Sequence, residues 1–106
     1  MQSNTENDVG ATSVFRLLTD AERAASKAVR LMRASLASAA PGNVSPLLED
    51  VLQLFALFDA ADRHAELARR ALGDEAIEHA EDALALSVAA HEEAVRRTRR
   101  WARSQA

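Results

Sequence analysis

The chain contains no cysteine, so disulfide bonds, thiolate metal sites and a thiol nucleophile are all excluded. Glycine occurs three times and proline twice, which leaves few loops in which to assemble a catalytic site. Gly10, Gly42 and Gly73 stand too far apart to form a phosphate-cradling loop, and no Gly-x-Ser-x-Gly elbow is present. Aromatics are 4% of the residues, namely Phe15, Phe55, Phe58 and Trp101, so a core has to be built from leucine, valine and alanine. β-Branched residues are sparse, which counts against a sheet. No apolar run approaches the roughly 18–20 residues that span a bilayer. The start of the chain lacks the basic and then apolar stretches of a secretory signal, and a cytoplasmic protein without membrane contact is expected.

What is abundant is alanine, with 24 of 106 residues. Alanine has the highest helix propensity, and the two scarce residue types have the lowest. Hydrophobic residues reach 48%, enough for one folded domain of this size. Arginine outnumbers lysine twelve to one, which together with the alanine excess suggests a GC-rich bacterial genome.

Residues 1–11 are polar and aperiodic and read as a disordered arm before a single helical domain over 12–106. A first helix is expected near 13–39, with Val14, Leu18, Ala21, Ala25, Ala28 and Met32 on its apolar stripe. Thr19 and Glu22 have capping-box spacing, so the helix either starts anew there or runs through. Ala40-Pro41-Gly42-Asn43-Val44 breaks the pattern, and Ser45-Pro46 supplies an N-cap and first-turn proline for a second helix near 46–72. Its stripe comprises Leu47, Leu48, Val51, Leu54, Phe55, Phe58, Ala61, Ala65, Ala68 and Leu72, with Leu52 and Leu57 off the stripe. Residues 47–58 are thus apolar on more than one face. Gly73 reads as a C-cap and Asp74 as the cap of a third helix near 75–103, a connection short enough to force a hairpin. On that helix Ile77, Ala80, Leu84, Ser87, His91, Ala94, Thr98 and Trp101 repeat at three and four. The expected fold is all-α: an antiparallel three-helix bundle, possibly completed by self-association.

The net charge of −3 conceals segregation. Residues 12–40 carry +3, residues 74–93 carry −7 with no lysine or arginine, and the tail carries +5 from Arg96, Arg97, Arg99, Arg100 and Arg103. Dipole complementarity and a solvated face account for most such patterns. The alternative is a docking surface: helix 1 against acidic helix 3, or the tail arginines on phosphate, with Trp101 stacking on a base.

Three histidines remain as candidates for chemistry. His91 falls in the apparent seam of helix 3, without a nucleophile in any convincing relation to it. Folding the hairpin about Gly73-Asp74 sets His64 opposite Ala83, with His79 four residues away, about 6 Å along the axis. Asp62, Glu66, Glu75, Glu78 and Asp82 crowd the same end. The Glu-x-x-His spacing of di-iron bundles and the His-Glu-x-x-His motif are both absent.

These features predict a non-enzymatic protein-interaction module, such as an adaptor, chaperone-like subunit, antitoxin or inhibitor, that pairs with itself as a homodimer or with another protein. No catalytic, cofactor or metal residue is assigned. The interaction candidates are Leu52, Phe55, Leu57 and Phe58, together with Arg96, Arg97, Arg99, Arg100, Trp101 and Arg103. Nucleic-acid binding through the tail arginines is the alternative, and a metal-binding bundle around His64 and His79 is the third reading.

Overall fold

In the computed structural model the backbone is described for residues 2–105 and the side chains for residues 13–103. The expected arm, residues 1–11, lies outside the residues whose side chains are described. Among the described residues there are three long helices and no strand: α1 (Gln2–Ser38), α2 (Val44–Arg70) and α3 (Gly73–Gln105). A short 3₁₀ turn, Pro41–Asn43, joins the first two. The helices run up, down and up, so α2 is antiparallel to its neighbours and α1 is parallel to α3. The three-helix bundle expected from periodicity is the fold.

The bundle is a rod. Its Cα extents are 62 × 17 × 16 Å and its radius of gyration is 17.2 Å. A globular chain of about this length would have a radius near 13 Å. Both α1 and α2 pack along α3, and they touch one another far less. The cause lies in side-chain size. Ala76, Ala80, Ala83, Ser87, Ala90 and Ala94 form the buried face of α3, none more than 5% exposed. Ala21 and Ala28 of α1 and Ala61 and Ala68 of α2 are buried as well. Small residues let the two outer helices approach the central one closely. Larger residues gather where the α1–α2 turn closes the bundle: Met32, Val51 and Leu54 pack with Ala28 and Ala94, and Val29, Leu31, Leu36, Leu57 and Phe58 pack around them.

This arrangement corrects the expected stripe of α3. Ala80, Ser87, Ala94 and Trp101 are buried as expected, but Ile77, Leu84, His91 and Thr98 are only half-buried. Two helices press on α3, so its buried face is wide and centred on the small residues one position earlier: Ala76, Ala83 and Ala90.

Around the two breaks the helix ends differ by one or two residues from the capping signals. Thr19 is not a cap: its Oγ1 donates to the carbonyl of Phe15 at 2.8 Å, within a continuous α1. α2 starts at Val44, before Ser45, and Asn43 at the cap makes no side-chain bond. Pro46 then lies in the first turn, where its missing N–H has no intrahelical partner to lose. α2 ends at Arg70, and the Ala71 N–H closes the last turn on Leu67. Leu72, placed on the stripe by its spacing, therefore lies beyond the helix and is 88% exposed. Gly73, expected to cap α2, instead opens α3 with a left-handed φ of +61°, and Asp74, expected as the cap of α3, lies within its first turn.

Candidate functional site

Three features stand out: an apolar strip on α2, the arginine-rich end of α3, and a histidine pair across the hairpin. Leu48, Leu52 and Phe55 are spaced four and three apart, so they share one face of α2. They are 46%, 65% and 51% exposed. Leu48 and Phe55 were expected in the core. They lie outside it because the bundle is closed from two sides only, and α2 spends Leu47, Val51 and Leu54 on that interior. Phe55 leans on Phe58, with ring centroids 6.2 Å apart. Leu57 and Phe58 are half-buried against the main cluster, so of the four apolar candidates only Leu52 and Phe55 face outward. Beside them a shallow cavity of about 260 Å³ separates α1 from α2, lined by Leu18, Ala25, Val29, Phe58 and Ala65, with Ala83 and Ser87 of α3 among its walls.

The end of α3 is less open than its composition suggests. The Arg97 guanidinium turns inward and ties α3 to the start of α2. Its Nη1 donates to Asp50 Oδ1 at 2.9 Å, to the Asp50 carbonyl at 3.2 Å and to Gln53 Oε1 at 2.8 Å. Its Nε donates to Glu93 Oε1 at 2.8 Å. Trp101 is 8% exposed, and its indole N–H donates to the other Asp50 oxygen at 2.7 Å. Arg96 donates to Glu93 as well. Arg97 and Trp101 thus act as a fastening, while Arg99, Arg100 and Arg103 are exposed. Asp50, Gln53 and Glu93 complete this network and were not singled out from the sequence. Three and four residues before Arg96 and Arg97, Glu93 had the spacing that signals such a pair; the partners on α2 had no local signal.

The guanidinium groups of Arg97 and then Arg96 hold the Glu93 carboxyl down to about 2, from an ordinary 4.5. A carboxyl depressed in the folded state stabilises fully above its unfolded value and loses that contribution as pH falls. Stability measured by urea unfolding is therefore expected to fall between about pH 4.5 and pH 2 more steeply in the parent chain than in Glu93→Gln. Solvent reaches the pair, so the difference is set at only about 0.5–1 kcal/mol. Equal slopes would show that Glu93 contributes nothing. The expected docking of the basic helix 1 on acidic helix 3 has no counterpart among the described ion pairs. Arg23 pairs with Asp20 in its own helix, and Glu22 reaches Arg69 of α2 at 3.8 Å.

His64 of α2 and His79 of α3 do meet. Their Nδ1 atoms are 3.2 Å apart and their ring centroids 5.4 Å apart. The expected four-residue offset vanishes because the chain reverses at Ala71–Leu72, about two residues before the glycine taken as the fold axis. Asp82, one turn beyond His79, brings Oδ2 to 3.8 Å from His64 Nδ1. Both rings are half-buried and the carboxylate is exposed. Glu66, also expected at this end, is engaged by Arg69 and Arg70. No known family model, curated protein or solved structure matches the chain.

Proposed function

We propose that the chain is a non-enzymatic protein-interaction module that pairs with a second copy of itself through the outer face of α2. The supporting observation is the strip of Leu48, Leu52 and Phe55, exposed at helical spacing on a rod whose other helices leave it uncovered. Full burial of one such side chain stabilises by about 1.5–3 kcal/mol, so covering the strip is favourable. Every copy carries the same strip, and two-fold pairing sets strip on strip. A stable interface buries roughly 800 Å² per partner, more than three side chains supply, so pairing is expected to be weak and concentration-dependent. In its host such a module serves as an adaptor, chaperone-like subunit, antitoxin or inhibitor. The nucleic-acid reading retains only Arg99, Arg100 and Arg103 as fully outward cations with no described partner, and Trp101 is unavailable for stacking.

Sedimentation velocity across the micromolar range tests the proposal. The parent chain is expected to shift toward dimer with concentration. The Leu52→Asp/Phe55→Asp double variant is expected to stay monomeric with unchanged helical circular dichroism. A strict monomer at high micromolar concentration ends the proposal.

A further inference from the structure

We propose that His64, His79 and Asp82 form a site for one divalent transition cation of the zinc type. The residues come from both arms of the α2–α3 hairpin, and three donor atoms, one from each, lie within 4.8 Å of one another. Imidazole nitrogens bind zinc at about 2.0–2.1 Å, so two of them on a tetrahedral ion lie roughly 3.3 Å apart. The Nδ1 atoms of His64 and His79 are already 3.2 Å apart, close to that edge length. The separation of 3.8 Å from His64 Nδ1 to Asp82 Oδ2 closes with a small side-chain rotation, which an exposed carboxylate makes freely. Two imidazoles and one carboxylate suit zinc, cobalt or nickel better than calcium or magnesium, which prefer an all-oxygen shell. The fourth position faces solvent and takes water.

The geometry has a second physical account, a direct N–H···N bond between neutral rings. The two accounts differ in what added metal does. Zinc chloride is titrated calorimetrically into the untagged full-length chain in a non-chelating buffer. One zinc per chain is expected, and His64→Ala, His79→Ala and Asp82→Asn each weaken it at least about tenfold. His91→Ala, twelve residues from His79 on α3, leaves binding unchanged. A readout on the parent chain needs no variant to fold: zinc shifts the imidazole ¹⁵N resonances of His64 and His79 and not those of His91. Absence of zinc uptake overturns the proposal and leaves the hydrogen bond. Half a zinc per chain, binding indifferent to His64 and His79, or equal shifts of all three histidines overturns it too. Pairing through the strip on α2 involves other residues, so either idea survives the failure of the other.

Discussion

Trp101→Ala is expected to be the most damaging single substitution in the chain, at about 3–5 kcal/mol. Two losses combine. The indole is 8% exposed and is the largest side chain in the interior, so truncation leaves a cavity at the end of the bundle. The indole N–H also satisfies one oxygen of Asp50, whose other oxygen is held by Arg97. Removing it leaves a half-buried carboxylate oxygen short of a donor. Domains of this kind are stable by only about 5–15 kcal/mol, so the loss is a large share of the total. Trp101→Phe helps to separate the terms: it keeps most of the apolar area and loses the hydrogen bond along with some ring volume, at about 1–2 kcal/mol. Urea unfolding followed by circular dichroism measures both. A Trp101→Ala midpoint within error of that of Trp101→Phe would show that burial of the ring contributes little.

Ala90→Leu is expected to cost about 3 kcal/mol, at the upper end for an overpacked core. Ala90 has no exposed surface and sits on the face of α3 that two helices share. Three added carbons cannot displace one neighbour without pressing on the other. The seam beside it, Ala83, Ser87 and Ala94, is buried and made of small residues, with no long side chain to swing aside. Ala85→Leu on the same helix is the control, because Ala85 is exposed and such changes stay within about 0.5 kcal/mol. Thermal melts of the two variants side by side are the measurement. If both melt with the parent chain, the close approach of the helices is not what holds the rod together.

The helices were legible because periodicity, alanine content and the two breaks at Pro41-Gly42 and Gly73 agree. The phase of α3 was not legible. Periodicity favours the large residues Ile77 and Leu84, while packing of two helices on one favours the small residues beside them. The histidine pair was nearly legible. Residue type and hairpin point to it, but the point of reversal is ambiguous, since a left-handed glycine can stand at either end of a two-residue link. Charge alone sends an arginine such as Arg97 outward. What draws it in is Asp50, 47 residues away in the chain, and nothing local announces that contact.

The closest polar fastenings between helices tie α2 to α3, Asp50 with Arg97 and Trp101 and His64 with His79, while α1 has only the longer Glu22–Arg69 pair among the described residues. α1 is held mainly by fit. A foreign helix bearing the same small-residue face would meet few specific polar demands at the α1 berth, and would have to overcome the effective concentration that the tether gives α1. To evict α2, an intruder would also have to reproduce a specific pattern of donors and acceptors. Exchange between molecules, where it occurs, thus meets fewer polar obstacles at the first helix than at the second.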